Sequence, residues 1–178
     1  MSTKVNASTY QQVEALLGRP PRGLRSVPVI SDTGEPVVIQ VASIVDNKPF
    51  PTLFWLVDKR LNYAIDQLEA QGMIACFQEV IDNDESLQQA LVVDHQAYIE
   101  LRANVMTASE RTALHVQGFG KVLSKRGIGG IANFTRIRCL HTYYAAHLVL
   151  PNTVGQLLDQ YWLEKGMVFE HGSFTTQN

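Results

Sequence analysis

The chain has 178 residues, of which 46% are hydrophobic and 18% are charged, and its formal net charge at pH 7 is −2. This composition predicts a single domain over residues 1–178 with a substantial core, and it argues against a disordered chain or a general binder of nucleic acid or anionic membranes. Two cysteines are too few for a disulfide framework and the N-terminus lacks a secretory signal, so we expect a cytoplasmic protein.

The first third of the chain predicts β-structure. A capping box that opens at Ser8 predicts a short N-terminal helix. Two runs rich in Val and Ile, 24–30 and 36–45, flank the turn residues 31–34 and predict a β-hairpin. A third strand is expected within 49–57, so that the simplest sheet has three antiparallel strands.

Helical spacing begins at Asp58 and continues to Val105, with a break at Gly72 and a polar junction at 82–84. A second capping box opens a further short helix at Thr107. The apolar positions that carry the helical period include Leu61, Ile65, Leu68, Leu87, Leu91, Tyr98 and Leu101.

The last third also predicts helices. Asn133 is expected to cap a long, largely buried helix that runs to Leu150 and stops at Pro151. The apolar part of this helix is far shorter than the roughly 20 residues that span a bilayer. A final helix is expected at 153–165, and the tail after Met167 has no strong pattern. Because strands precede helices, the predicted fold class is α+β, a small antiparallel sheet covered by several helices.

Charge is distributed unevenly along the chain. No Asp or Glu occurs between Thr112 and Leu158. This acid-free stretch contains the cations Lys121, Lys125, Arg126, Arg136 and Arg138. It also contains the glycine loop 126–130, whose Gly127, Gly129 and Gly130 precede the long predicted helix. Backbone amides, a helix N-terminus and cations can converge there on an anion, although a flexible turn between helices is the simpler alternative.

The predicted helix after Asn133 places Arg136, Leu140, Tyr143 and His147 on one stripe. Arginine offers a fork of donors to an oxyanion, and histidine exchanges protons near neutral pH. His141 or His147 is therefore the expected proton-transfer group if the protein is an enzyme, a question that the sequence leaves open. The alternative is a packing stripe with polar ends.

Cys139, His141 and His147 are residue types that bind zinc or iron. On a regular helix, however, His141 and His147 lie about 120° apart and cannot chelate one ion. We therefore expect no metal and no cofactor. His95 is expected to be a surface or hydrogen-bonded structural histidine, and Cys76, beside apolar neighbours, a core residue.

Two motifs resemble a known bacterial family, the domain of unknown function 501. One is Pro49-Phe50-Pro51-Thr52-Leu53-Phe54-Trp55-Leu56 followed by Lys59-Arg60-Leu61, and the other is Arg138-Cys139-Leu140-His141 ahead of His147. The resemblance covers roughly residues 20–158. It implies that the Phe-Pro-Thr segment and the Cys-Leu-His helix belong to the family core, and it implies no assigned activity.

We therefore expect a small phosphorylated or carboxylated ligand in the region from Lys121 to His147, bound by the glycine loop and helix. The rival hypothesis is a non-enzymatic module that docks an acidic protein or RNA through the same cations, with nucleic acid the less favoured partner. A third possibility is that the basic segment pairs with the acidic stretch 82–100 of the same chain. No membrane partner is expected.

Overall fold

A computed structural model describes residues 3–170 and 173–176 of the chain. Within these residues, a small antiparallel sheet from the N-terminal third is combined with seven α-helices, which confirms the predicted α+β class. None of the helices in this described part has both the length and the apolar composition that a membrane span requires.

The sheet is built mainly from the predicted hairpin. The strands are β1 (Thr3–Lys4), β2 (Leu24–Ile30), β3 (Pro36–Val41), β4 (Ile44–Val45), β5 (Lys48–Pro49), β6 (Phe54–Leu56), β7 (Met167–Glu170) and β8 (Ser173–Thr176). Strands β1, β2, β3 and β6 form the main sheet in that order, and all neighbours are antiparallel. The hairpin of β2 and β3 is confirmed, and β6 is the expected third strand. Strand β1 adds a short fourth strand at the edge.

The strand predicted over 36–45 is wrong in its last part, because β3 ends at Val41 and the chain forms a second, smaller hairpin. Ile44 pairs with Pro49 across this hairpin. Asp46 and Asn47 lie at its tip with φ angles of 50° and 59°. Two consecutive left-handed residues are what a tight two-residue hairpin requires, and Asn and Asp tolerate this conformation best after glycine.

The helices follow the predicted order. They are α1 (Ala7–Leu17), α2 (Lys59–Ala70), α3 (Met73–Asp82), α4 (Glu85–Val105), α5 (Ala108–Val116), α6 (Leu140–His147) and α7 (Thr153–Glu164). The capping box at Thr107 is confirmed, with Glu110 as its second member. The capping box at Ser8 is wrong, because Asn6 caps α1 and its side-chain oxygen accepts the Thr9 amide at 2.8 Å.

The apolar face of α2 is confirmed, since Leu61, Ile65 and Leu68 are buried. On α4 the buried stripe consists of Leu91, His95, Tyr98 and Arg102, so two of its four members are polar. Cys76 on α3 is exposed, and the core position expected for it is wrong. The helix turns it away from the face that buries Phe77 and Ile81.

The long helix predicted from Asn133 is also wrong in its first half, because α6 begins at Leu140. The Asn133 side chain accepts the backbone amide of Thr135 and closes a local turn. Gln78 of α3 then accepts the amide of Ile137 and donates to the carbonyl of Thr135, and these two hydrogen bonds hold the segment in a non-helical conformation. The part that is helical is largely buried, as expected.

The C-terminal part contains a hairpin that the sequence pattern does not indicate. Helix α7 agrees with the prediction, with Asn152 as its N-cap. After α7, β7 and β8 pair with each other and place Phe169 and Phe174 in edge contact, with ring centroids 5.2 Å apart. Phe174 also contacts Trp162 of α7. Helix α6 thus lies in the core, in contact with α7 and with strand β6 of the main sheet.

Candidate ligand-binding site

The glycine loop packs tightly against three other parts of the protein. A Cβ atom on Gly127 would lie 2.1 Å from His95 Nδ1. Gly129 and Gly130 have positive φ, and a Cβ on them would lie 2.8 Å from Thr142 Oγ1 and 2.9 Å from the Pro51 side chain. The glycines therefore allow the loop to approach α4, α6 and the Phe-Pro-Thr segment closely.

Much of the hydrogen-bonding capacity of this loop is used within the protein. The amide of Gly127 donates to the Ile131 carbonyl, and that of Gly130 donates to the Gly127 carbonyl. The amide of Ile128 donates to Nδ1 of the fully buried His95 at 3.0 Å. Three amides that the anion hypothesis assigned to a ligand thus have protein acceptors, so cationic side chains must supply most of any anion contact.

His95 was predicted to be either a surface histidine or a hydrogen-bonded structural one, and the structure shows the second. Its Nε2 lies 3.1 Å from the Tyr143 hydroxyl, and its ring stacks on Phe134 with centroids 4.8 Å apart. Burial lowers the pKa of His95 to about 4, so the ring is neutral at physiological pH. A neutral imidazole can accept the Ile128 amide, which a protonated ring cannot.

Arg102 of α4 connects the glycine loop to the Phe-Pro-Thr segment. Its guanidinium, in a residue only 1% exposed, donates to the carbonyls of Pro51, Leu123 and Arg126, with a distance of 2.7 Å to Pro51. No carboxylate among the described residues pairs with it. Burial lowers the pKa of Arg102, and the three carbonyl dipoles compensate its charge. Sequence reasoning missed Arg102, and the signal that could have found it is its position four residues after Tyr98 on the apolar face of the helix.

A pocket of about 340 Å³ opens where these segments meet. Its walls come from the Phe-Pro-Thr segment with β6, from the first turns of α2, and from the start of α6. The lining residues are Phe50, Thr52, Phe54, Trp55, Leu56, Asn62, His141 and Thr142. Both motifs that carry the family resemblance therefore contribute to one cavity, and Gly129 and Gly130 pack beside it on Thr142 and Pro51.

His141 lines this pocket, and its side chain is about one-fifth exposed. Its Nδ1 is 3.3 Å from Glu69 Oε1 and 3.8 Å from Cys139 Sγ, and its Nε2 is 3.2 Å from Asp66 Oδ1. Burial lowers the pKa of His141, but contacts with the Cys139 sulfur, the Glu69 carboxylate and the Asn62 carbonyl outweigh burial and raise it to about 9. Both ring nitrogens are thus engaged by protein groups.

His147 belongs to a separate network at the other end of α6. Its Nε2 is 2.8 Å from Asp159 Oδ2, and its Nδ1 accepts the amide of Asn152. Tyr144 donates to the second oxygen of Asp159. The structure therefore does not bring His141 and His147 together, and the proton-transfer roles assigned to them stay predictions.

The predicted stripe is wrong at Arg136, which precedes the helix, whereas Leu140, Tyr143 and His147 do lie on α6. Tyr143 is only 1% exposed, and its hydroxyl donates to the Arg136 carbonyl. The Arg136 guanidinium is 3.1 Å from Asp82, which agrees with the third possibility, pairing with the acidic stretch. The other predicted cations are exposed and have no carboxylate partner among the described residues; they are Lys121, Lys125, Arg126 and Arg138.

Replacing Gly127 with alanine should destabilise the protein by about 1 to 3 kcal/mol, because the added methyl group would overlap the His95 ring. Urea denaturation measures this loss. Gly120→Ala is the matched control, since a Cβ at Gly120 meets nothing closer than 3.8 Å. Equal stability of the two variants would show that the loop does not pack on His95.

Comparison with known families gives one match. The sequence model of DUF501, described as a protein of unknown function, matches residues 27–160. Neither a curated protein nor a solved structure shows a significant match to the chain. The matched range includes both motifs, the glycine loop and all the residues that line the pocket.

Proposed function

The chain belongs to the DUF501 family, and from this premise we propose that it binds a small molecule with an apolar body and a carboxylate or phosphate group. The body occupies the pocket beside His141, and the anionic group lies at the basic edge formed by the glycine loop. The observation that carries this proposal is the convergence of the Phe-Pro-Thr segment, the glycine loop and the start of α6 around one cavity.

The pocket suits a flat, apolar group. Phe50 and Trp55 lie side by side with ring centroids 5.7 Å apart, and Phe54 adds a third aromatic wall. Thr52 and Thr142 supply hydroxyl groups that can orient a ligand. The volume of about 340 Å³ lies at the small end of the range for small-molecule sites. Such a site favours a compact molecule, for instance one aromatic ring with a short polar substituent.

No Lys or Arg among the described residues lines the pocket. A cation that binds the anionic group of the ligand must therefore reach it from the edge of the pocket. The Arg102 guanidinium binds the carbonyls of both Pro51 and Arg126, so these two backbone positions lie close together. Pro51 directly precedes Thr52, a pocket residue. The backbone of Arg126 therefore lies near the pocket edge, and its side chain is long enough to extend there. This side chain has no carboxylate partner among the described residues.

A second candidate function is docking of an acidic protein, as the rival hypothesis states. Three apolar side chains beside the unpaired lysines favour it, because Val116 is 79% exposed and Phe119 and Val122 are each 38% exposed. Lys121 and Lys125 flank the last of these. An acidic segment with apolar anchors would match this surface in charge and polarity. RNA is the less favoured partner for this surface.

We also propose that the protein is cytoplasmic and that residues 1–178 form a single domain.

Calorimetric titration with phenyl phosphate, benzoate, benzyl alcohol and inorganic phosphate tests the proposed ligand class. We expect the two aromatic anions to bind more tightly than the neutral alcohol or the inorganic ion. Arg126→Ala should weaken phenyl phosphate roughly tenfold to a hundredfold, the effect of one charge-assisted hydrogen bond, and leave benzyl alcohol unchanged.

Arg111→Ala is the matched control, because Arg111 is an exposed arginine of α5 that does not line the pocket. Equal weakening by both variants, or equal affinity for the anion and the alcohol, would contradict the proposal. Stronger and more salt-dependent binding of polyaspartate than of phenyl phosphate would instead support the docking surface.

A further inference from the structure

Three side chains with metal-binding atoms meet at the wall of the pocket. None of the three takes part in the hydrogen bonds that hold the glycine loop. Glu69 comes from α2, whereas Cys139 and His141 come from the start of α6. The nearest carboxylate oxygen, the sulfur and a ring nitrogen all lie within 4.8 Å of one another. From this cluster we infer that the protein has a binding site for a zinc-type divalent metal ion, with Glu69 Oε1, Cys139 Sγ and His141 Nδ1 as its ligands.

The separations between the donor atoms agree with tetrahedral coordination. For zinc bonds of about 2.0 Å to oxygen, 2.1 Å to nitrogen and 2.3 Å to sulfur, tetrahedral angles place oxygen and nitrogen about 3.3 Å apart and sulfur and nitrogen about 3.6 Å apart. The structure has 3.3 Å between Glu69 Oε1 and His141 Nδ1 and 3.8 Å between Cys139 Sγ and His141 Nδ1. These two separations therefore match tetrahedral geometry closely, and the third pair, Glu69 Oε1 and Cys139 Sγ, lies within 4.8 Å.

The surroundings of His141 favour metal binding through Nδ1. Its Nε2 lies 3.2 Å from Asp66 Oδ1 and 3.3 Å from the Asn62 carbonyl, so the Nε2 proton has two acceptors. Metal-binding histidines characteristically donate the proton of their second nitrogen to a carboxylate or a carbonyl, which fixes the tautomer and the ring orientation. This arrangement points Nδ1 toward Glu69 and Cys139, where a metal ion would displace the Nδ1 proton.

The backbone also holds the ligands in place. Cys139 is extended, and the chain enters α6 immediately afterwards, so Cys139 and His141 can face the same point. The amide of Leu140 donates to Glu69 Oε1 at 2.6 Å and fixes this carboxylate at the start of α6. Glu69 thereby replaces the missing side-chain cap of the helix and has an oxygen close to both other ligands.

The set of donors indicates the class of metal. A thiolate with an imidazole favours Zn²⁺ over Mg²⁺ or Ca²⁺, which prefer oxygen ligands. The carboxylates of Glu69 and Asp66 add negative charge that a divalent cation would neutralise. Three protein ligands leave one tetrahedral position for water or another small ligand, which is the pattern of zinc sites that are not purely structural.

The sequence prediction of no metal rested on the separation of His141 and His147 along one helix. The structure agrees that His147 is elsewhere, since it pairs with Asp159. The third ligand, however, comes from another helix, and spacing along one helix cannot detect it. The metal site does not depend on the proposed anionic ligand, because it can be measured without any organic molecule.

Elemental analysis and native mass spectrometry of protein purified without chelator test the site. We expect one zinc per chain, and a thiolate-to-metal charge-transfer band when the metal-free protein is titrated with Co²⁺. Cys139→Ser should abolish this band. Glu69→Gln should keep the band and weaken Zn²⁺ more than about a hundredfold, since even partners outside the coordination sphere contribute about ten- to a hundredfold.

Cys76→Ser is the matched control, because Cys76 is an exposed cysteine of α3 outside the cluster. Circular dichroism verifies that each variant is folded, and Glu69→Gln keeps the test valid if Cys139→Ser does not fold. Failure of the wild-type protein to bind Zn²⁺ at micromolar concentration would overturn the inference. Equal loss of Zn²⁺ binding in the Cys76 and Cys139 variants would also overturn it. Failure of phenyl phosphate to bind would contradict only the proposed function and would leave the metal site untouched.

Discussion

Replacing Arg102 with methionine should lower the free energy of unfolding by about 3 to 5 kcal/mol, because three backbone carbonyls lose a charged donor and hydrogen bonds to charged groups contribute about 1.5 to 3 kcal/mol each. The guanidinium donates to the carbonyls of Pro51, Leu123 and Arg126 in a residue that is 1% exposed. Methionine fills a similar space but donates no hydrogen bond. The three carbonyls would lose their charged partner, and each buried, unsatisfied polar group costs about 1 to 3 kcal/mol.

Urea denaturation followed by circular dichroism measures this effect, and Arg111→Met on the exposed side of α5 is the control. Arg102→Lys should recover only part of the loss, because a single ammonium group cannot reproduce a planar fork that reaches three acceptors. One ordinary hydrogen bond contributes about 1 kcal/mol net. If Arg102→Met lowers the free energy of unfolding by less than this, the three carbonyls find other partners.

Stability should fall as the pH decreases from 6.5 toward 4, and His95 should account for about 3 kcal/mol of that fall. The unfolded chain takes up a proton at His95 below pH 6.5, whereas burial keeps the folded ring neutral until about pH 4. Protons therefore favour the unfolded state in this window. The stabilising contribution is complete above pH 6.5 and is lost as the pH falls from 6.5 to the folded pKa of about 4.

His95→Asn isolates this effect, because the asparagine oxygen can accept the Ile128 amide in place of Nδ1 but does not titrate. The variant should be less stable than the wild type at pH 7, and the difference should shrink as the pH is lowered to 4. His115→Asn, at an exposed histidine, is the control. Parallel stability curves for wild type and His95→Asn across this range would refute the assignment.

Arg102 and His95 explain how one helix organises the candidate site. Both belong to the buried stripe of α4, and they hold successive positions of the loop that follows α5. Arg102 fixes the loop to Pro51, and His95 fixes its glycines. A loop held at two points can keep its exposed cations near the pocket, which is a requirement of the proposed anion site.

The proposed metal site and the pocket share one residue, His141. The imidazole lines the cavity and is also one of the three proposed metal ligands. A divalent ion bound by Glu69, Cys139 and His141 would add positive charge to the wall of the pocket where the apolar body is proposed, whereas the anionic group is proposed at the edge beside the glycine loop. The two proposals are therefore compatible, although each has its own measurement and its own control.

Short-range patterns in the sequence determined much of the framework. The hairpin of β2 and β3, the apolar face of α2 and the capping box at Thr107 each depend on residues only a few positions apart. The same patterns revealed the acid-free stretch and the two motifs of the family resemblance. They succeeded because backbone propensity, capping and burial of a repeating face are decided largely by neighbouring residues.

Only the tertiary structure decided where α6 begins and which groups meet beside it. Gln78 of α3 and Glu69 of α2 bind the amides of Ile137 and Leu140, so the segment that was predicted as helix stays non-helical until Leu140. The same contacts separate Arg136 from the helix and bring Glu69 to Cys139 and His141. Hydrogen bonds between distant parts of the chain leave no periodic signal in the sequence, because the partner can lie at any separation once the core brings the helices together.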